Sequence, residues 1–120
     1  MRIVSTVLII LLTTVGAEAR TRVAVSGKPL LLPSAASTNP DCSSAGDVVI
    51  RITSPASNGS VSIKRGGVFP TFYPCNRRRV RGTTTTYTAR RGYTGPDTVT
   101  LEYIFPNGEL RQVTYDIMVR

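Results

Sequence analysis

The sequence predicts an all-β protein, a β-sandwich held by one disulfide. Apolar and polar side chains alternate in several short segments between residues 48 and 119, and this period of two is typical of half-buried strands. Turn-forming residues separate these segments at intervals of about ten residues, as they do in sandwiches. No segment shows the longer apolar period that would indicate a helix.

The N-terminal residues have the features of an export signal. Arg2 precedes an apolar stretch from residue 3 to 15, and Ala17-Glu18-Ala19 gives the small-x-small pattern of a signal-peptidase site. The apolar stretch is shorter than the roughly 20 residues that a membrane-spanning helix needs. We therefore expect residues 1–19 to be a signal peptide. The mature protein is expected to be secreted or periplasmic, without an integral membrane segment.

The mature chain is long enough for one domain with a modest core. Residues 20–46 are poor in charge and are expected to form an N-terminal strand and loop segment, whereas residues 47–120 form the core of the domain. In an oxidising compartment, Cys42 and Cys75 are expected to form a disulfide. A two-thiol metal or redox site would need closer spacing or histidine partners, and the sequence offers neither.

The last two predicted strands, residues 97–105 and 110–120, allow a register to be predicted. A two-residue turn between them would pair an inward side chain with an outward one. A three-residue loop at 107–109 instead sets Tyr103 opposite Val113, so that the apolar faces coincide. We expect the three-residue loop. The other strands predicted for the core lie at residues 48–53, 60–64 and 83–89.

One motif in the second half of the chain resembles a known family. The run from Tyr87 to Asp97 contains Gly-Tyr-Thr-Gly-Pro-Asp and leads into a strand, as in the closing half of bacterial immunoglobulin-like and cadherin-like repeat modules. The earlier turn, Pro55 through Asn58-Gly59-Ser60-Val61, is similar to the proline–glycine hairpin of those modules. The resemblance covers residues 47–119. It implies an immunoglobulin-like antiparallel β-sandwich of about seven strands, with an adhesive or binding role.

The residues of this motif have structural roles that follow from their chemistry. Gly92 and Gly95 can adopt backbone conformations that a side chain would forbid. Tyr93 is expected to lay its ring across one end of the sandwich. Asp97 is expected to accept hydrogen bonds from turn amides. The acidic linkers that bind calcium between cadherin repeats are absent, and we expect no metal and no cofactor.

The sequence offers little that could perform catalysis. It contains no histidine, which is the commonest general base and metal ligand. No serine lies in a nucleophile motif. One carboxylate pair, Glu102 and Asp116, is expected to face outward on adjacent strands about 6–8 Å apart, which is near the spacing used by glycosidases. Because no cleft is predicted there, we expect a protein that is not an enzyme.

The chain is strongly basic, with 15 Lys and Arg residues against 7 Asp and Glu and a net charge of +8. No acidic residue lies between Asp47 and Asp97. The planar arginine group favours bidentate contacts with phosphate or carboxylate, and aromatic side chains nearby can stack on sugars or bases. These aromatic residues are Phe69, Phe72, Tyr73 and Tyr93. The predicted polyanion-binding residues are Arg77, Arg78, Arg79, Arg81, Arg90 and Arg91.

These observations leave several functions open. The leading one is a non-catalytic immunoglobulin-like module with a structural, adhesive or binding role in the cell envelope or outside the cell, where an envelope protein is one partner. A second is an electrostatic binder of acidic polysaccharide or lipopolysaccharide, with nucleic acid less favoured. A third is a secreted inhibitor of a hydrolase, acting through the loop at residues 65–82. The charge excess also suits solubility alone.

Overall fold

In the computed structural model, which describes residues 18–120, the regular secondary structure is almost entirely β-strand. Nine strands form rather than the predicted seven or so. Between them lies one 3₁₀ turn, Cys75–Arg77. The predicted signal peptide falls outside the described residues as far as residue 17. The strands are β1 (Glu18–Ala24), β2 (Pro29–Leu31), β3 (Ser37–Thr38), β4 (Ser44–Gly46), β5 (Val49–Ser54), β6 (Gly59–Val68), β7 (Val80–Ala89), β8 (Gly95–Ile104) and β9 (Leu110–Val119).

The strands form two larger sheets and one small ribbon. One sheet has the order β1-β9-β8-β5, and β1 runs parallel to β9 while the other pairs are antiparallel. The second sheet, β2-β7-β6, is antiparallel throughout. The ribbon, β3-β4, lies in the connection between β2 and β5. Neither the two strands of the ribbon nor β2 were predicted as strands. Within residues 18–120 no helix is long and apolar enough to cross a membrane.

Side chains from both larger sheets share one apolar core. On β8 the alternate residues Val99, Leu101 and Tyr103 are buried, while their neighbours are exposed or half-buried. This alternation is the one that the sequence predicts. Burying such a side chain contributes about 1.5–3 kcal/mol. The core residues are Ala24, Leu32, Val48, Ile50, Tyr87, Ala89, Val99, Leu101, Tyr103, Val113, Tyr115, Ile117 and Val119.

The register predicted for the last hairpin is wrong by two residues. Leu101, not Tyr103, lies opposite Val113. The loop has the predicted three residues, but they are 106–108, because the amide of Gly108 donates to the carbonyl of Phe105 (2.9 Å) and the amide of Phe105 donates to the carbonyl of Glu109 (2.9 Å). This position puts proline first in the turn, where its fixed φ is favoured. Gly108 has a φ of 86°, which glycine tolerates.

The predicted disulfide between Cys42 and Cys75 is confirmed, with the two Cα atoms 5.4 Å apart. Both cysteines are buried. Cys42 lies in the turn between β3 and β4, and Cys75 begins the 3₁₀ turn that precedes β7. The bond therefore ties the connection from β2 to β5, which crosses between the two larger sheets, to the connection from β6 to β7.

Asp97 organises the turns at the other end of the sheets. The side chain is only 4% exposed. One carboxylate oxygen accepts from the amides of Ser57 (3.0 Å) and Thr98 (2.9 Å), and the other accepts from the amide of Asn58 (3.1 Å) and the hydroxyl of Tyr87 (2.7 Å). The expected bonding to turn amides is confirmed. The amides of Ser57 and Asn58 belong to the turn between β5 and β6.

This carboxylate should make the stability of the protein fall in acid. Burial disfavours the charged form of Asp97, but the four donated hydrogen bonds outweigh it and lower the pKa of this side chain. The folded chain therefore binds fewer protons than the unfolded chain. The stabilisation is complete above the unfolded value of about 3.9 and is lost as the pH falls towards the folded pKa. Urea unfolding between pH 7 and pH 2 should show a loss below about pH 4.

Candidate functional site

Three connections emerge from one end of the two sheets, which we call the loop end. They are residues 32–48, 69–79 and 105–109. The connections at the opposite end are short turns. β1 runs parallel to β9, so the start of β1 also lies at the loop end. The three long connections make this end the most irregular part of the fold. The disulfide joins two of them and so restrains their movement.

The six predicted arginines fall into two groups at opposite ends of β7. Arg81 is the second residue of this strand, and Arg90 follows its last residue. A strand rises about 3.3 Å per residue, so these two positions lie about 30 Å apart. Val80 is buried between exposed neighbours, as expected. The loop-end group is Arg77, Arg78, Arg79 and Arg81, and the other group is Arg90 and Arg91.

Some of the loop-end arginines already have partners within the fold. Nε of Arg81 lies 2.9 Å from one oxygen of Asp47, and Nη1 of Arg65 lies 3.4 Å from the other. Asp47 precedes β5, so this ion-pair cluster joins the two larger sheets. Nη1 of Arg78 donates to the backbone carbonyl of Asp41 (3.0 Å).

Arg77 and Arg79 differ from these neighbours. Both are exposed, and no ion pair joins either of them to another residue in the described range. The arginine-rich group thus contains structural cations and cations that face solvent. These two are the ones best placed to meet a ligand.

Exposed aromatic side chains lie in the same connection as these arginines. Phe69 is 60% exposed, Phe72 44% and Tyr73 89%. We call residues 69–79 the aromatic–arginine loop. Exposed apolar rings beside cations are typical of binding surfaces rather than of solubilising ones. Tyr93, which was grouped with these residues by sequence, lies at the opposite end, with its ring centroid 5.9 Å from the guanidinium of Arg90.

A groove of about 670 Å³ lies beside the aromatic–arginine loop, between β1 and β2. This groove was not predicted from the sequence. Thr71 of the loop contributes to its wall. The groove is lined by cationic, apolar and aromatic side chains. They include the arginines Arg20, Arg22 and Arg111, the apolar residues Leu31, Leu32 and Phe105, and the tyrosines Tyr103 and Tyr115.

Two buried tyrosines in the wall of this groove are joined by a hydrogen bond. The hydroxyl oxygens of Tyr103 and Tyr115 lie 2.8 Å apart. Burial, followed by this hydrogen bond, raises the pKa of Tyr103, so its hydroxyl stays protonated and neutral. Arg111 stands nearby, with its guanidinium 5.4 Å from the ring centroid of Phe105 and its Nε 3.2 Å from Oε1 of Glu109.

The carboxylate pair considered for catalysis is not brought together. Glu102 lies opposite Gln112, whereas Asp116 lies opposite Thr98. The two carboxylates are therefore offset by four residues along β8, which is about 13 Å, so the expected spacing of 6–8 Å is wrong. Glu102 instead lies 3.8 Å from Nη1 of Arg51. Among the described residues, no group of His, Cys, Asp or Glu is arranged to hold a metal ion.

Comparison with known proteins assigns the chain to no family. No family model matches the chain, and no curated protein matches it. Among solved structures, the chain is similar to one described as the solution structure of Amebosin, with 17% identity, coverage of 88% of this chain and 100% of that chain, and a TM-score of 0.41. At that TM-score the likeness carries no argument about fold or function.

Proposed function

We propose that this protein is an exported, non-catalytic binding module with an immunoglobulin-like fold, whose loop end binds acidic polymers. One observation carries the proposal. The aromatic–arginine loop presents exposed rings and solvent-facing arginines on a single connection that the disulfide braces.

The strand order supports the immunoglobulin-like part of the proposal. In such domains the second, fifth and fourth strands form one sheet and the third, sixth and seventh form the other. When the strands are counted without the β3-β4 ribbon, β2-β7-β6 consists of the second, fifth and fourth strands. In the same count, β5-β8-β9 consists of the third, sixth and seventh strands. The ribbon then corresponds to an elaboration of the connection between the second and third strands.

Export is supported by the disulfide and by the N-terminal residues. Disulfides persist in oxidising compartments and are rare in the cytosol. The charged, apolar and small-residue regions of residues 1–19 match an export signal. The periplasm or the exterior of the cell is where such a module would meet acidic polysaccharide, lipopolysaccharide or an envelope protein.

Acidic polymers suit the loop end because its acidic side chains are already engaged. Asp47 pairs with Arg65 and Arg81, and the Asp41 carboxylate accepts from the amide and hydroxyl of Ser43. Arg77 and Arg79 are left to meet anionic groups, for which the arginine fork is well shaped. The neighbouring rings can stack on sugar rings or bases. Acidic polysaccharide is the favoured class, and nucleic acid the second.

Salt dependence tests the electrostatic part of this proposal. A single-stranded oligonucleotide is a useful probe, because each lost phosphate contact should reduce the slope of log K against log salt by about 0.7. Replacing Arg77 and Arg79 together by serine should therefore flatten the slope by about 1.4. Polygalacturonate, a carboxylated polysaccharide, should show the same ranking of variants.

The opposite end of β7 offers a matched control. Replacing Arg90 and Arg91 by serine removes the same charge and should leave the slope nearly unchanged, because these residues lie far from the loop. If both double variants lose affinity equally, binding follows net charge alone and the assigned surface is wrong. Tyr73→Ala should weaken binding without changing the slope, because stacking releases no counterions.

The aromatic–arginine loop also keeps the hydrolase-inhibitor alternative open. Such an inhibitor needs a protruding, disulfide-braced loop, and Tyr73 is the most exposed large side chain in this one. Stoichiometric inhibition of a hydrolase that is abolished by Tyr73→Ala and insensitive to salt would favour this function over polymer binding.

A further inference from the structure

Three arginines occupy positions of the sheet that face its core side. Arg20 and Arg22 of β1 lie beside Tyr115 and Ile117 of β9, and Arg111 lies opposite Tyr103. These three partner residues are buried. Side chains on the same face of adjacent strands point the same way. The arginines therefore project from the core side at the open edge of the sheet, into the groove between β1 and β2.

This arrangement departs from the alternation that holds elsewhere in the fold. Arg20 and Arg22 are half-buried there, and a half-buried cation loses part of its hydration unless an anion or another acceptor replaces it. Arg111 keeps 64% of its side chain exposed. The residues that line the groove within the described part of the chain include no carboxylate. Glu109 reaches Nε of Arg111, and Nη1 of Arg22 donates to the carbonyl of Thr21. Arg22 and Arg111 outnumber this one carboxylate, so they give the groove positive charge, and such departures are expected at functional sites.

The tyrosine pair adds a polar group aimed at a ligand. Tyr103 and Tyr115 share one hydrogen bond, and each hydroxyl has one hydrogen to donate. One of the two hydrogens is used between them. Within the described residues, no side chain or carbonyl accepts the remaining hydroxyl hydrogen. Both tyrosine side chains are nevertheless more than nine-tenths buried. An oxygen atom of a bound molecule would complete this pair.

The rest of the wall is aliphatic or aromatic. Leu31 is 66% exposed, although it sits among the groove residues with Leu32, Pro33 and Phe105. The volume of about 670 Å³ falls within the roughly 300–1,000 Å³ typical of small-molecule sites. A ligand that matches both walls has a compact anionic group at one side and an apolar chain at the other.

We propose that the groove binds a small amphiphilic anion, with a carboxylate or phosphate headgroup held by Arg22 and Arg111 and an aliphatic chain lying along Leu31 and Phe105. This site is separate from Arg77 and Arg79 of the aromatic–arginine loop. Ligand binding in the groove therefore does not depend on whether that loop binds polymers.

Titration calorimetry with short amphiphiles tests the proposal. Octanoate and octyl phosphate should both bind, whereas octanol, which lacks the charge, and acetate, which lacks the chain, should each bind at least about tenfold more weakly. Stronger binding of octyl phosphate than of octanoate would identify phosphate as the preferred headgroup, and the reverse would identify carboxylate. Either order supports the site.

Substitutions then place the ligand in the groove. Arg22→Gln and Arg111→Gln should each weaken octanoate binding about tenfold, and Leu31→Ser should weaken it without affecting the fold, since Leu31 is already exposed. Arg91→Gln, at the opposite end, is the control and should leave binding unchanged. Thermal unfolding of each variant checks that it folds.

Two outcomes would overturn the proposal. Equal affinities for octanol and octanoate would show that the groove recognises no charge. Octanoate binding that survives Arg22→Gln and Arg111→Gln but is lost in the Arg77→Ser/Arg79→Ser variant would move the anion to the aromatic–arginine loop.

Discussion

Replacing Asp97 by asparagine is expected to lower the free energy of unfolding by about 3–4 kcal/mol. The carboxylate accepts four hydrogen bonds, three from backbone amides and one from the hydroxyl of Tyr87. Asparagine keeps one acceptor oxygen and turns the other position into a donor, which then faces donors. Buried donors without acceptors cost their full desolvation penalty. Urea unfolding at pH 7 measures the loss.

Two further substitutions separate the network from the charge. Tyr87→Phe removes one of the four hydrogen bonds and should cost about 1.5–3 kcal/mol. Asp116→Asn makes the same change of charge at an exposed position and should stay within about 0.5 kcal/mol of the original protein. The Asp97 variant should also lose most of the acid sensitivity expected below about pH 4. Equal stability of the Asp97 and Asp116 variants would contradict the role assigned to this network.

Removing the disulfide by Cys42→Ser and Cys75→Ser is the second change with a large expected effect. The cysteines are 33 residues apart, and for a loop of this length the chain-entropy treatment gives about 3–4 kcal/mol. In a domain of about 100 residues this corresponds to a fall in Tm of roughly 15 °C or more. Thermal unfolding followed by circular dichroism measures it, with reduced and oxidised forms of the unsubstituted protein as the comparison.

The disulfide should matter to binding as well as to stability. It anchors the aromatic–arginine loop through Cys75, so the loop should lose order when the bond is absent. Hydrogen exchange at 25 °C should then speed up in residues 69–79 and 37–46, while the network at Asp97, at the opposite end, keeps its protection. Polymer affinity that is unchanged in the double variant would show that the loop does not need its brace.

The sequence predicts the strands of the core well because their side chains alternate. Burial along β8 and β9 follows the apolar pattern, and the disulfide and Asp97 followed from simple chemical rules. Register was harder to predict. A shift of two residues leaves the same side chains facing inward, so alternation cannot distinguish Tyr103 opposite Val113 from Leu101 opposite Val113. Only the turn chemistry of Pro106 and Gly108 decides between them.

The candidate site was predicted in part. A run of arginines in sequence indicated a single cationic surface, but β7 is long enough to carry Arg81 and Arg90 to opposite ends. The groove was not predicted, because Arg20, Arg22 and Arg111 come from distant parts of the chain and meet only through the parallel pairing of β1 with β9. The ribbon β3-β4 has only two or three residues per strand, too few for a periodic signal.

The parallel pairing of β1 with β9 also constrains how the chain reaches its native state. Arg20 pairs with Tyr115 and Ala24 with Val119, so each contact closes a loop of about 95 residues. The entropic cost of closing that loop must be met before the contacts contribute any stability. Topologies with such distant contacts fold in milliseconds to seconds rather than microseconds. β1 therefore has no partner until β9 has been synthesised, which leaves its strand edge exposed to other chains during that interval.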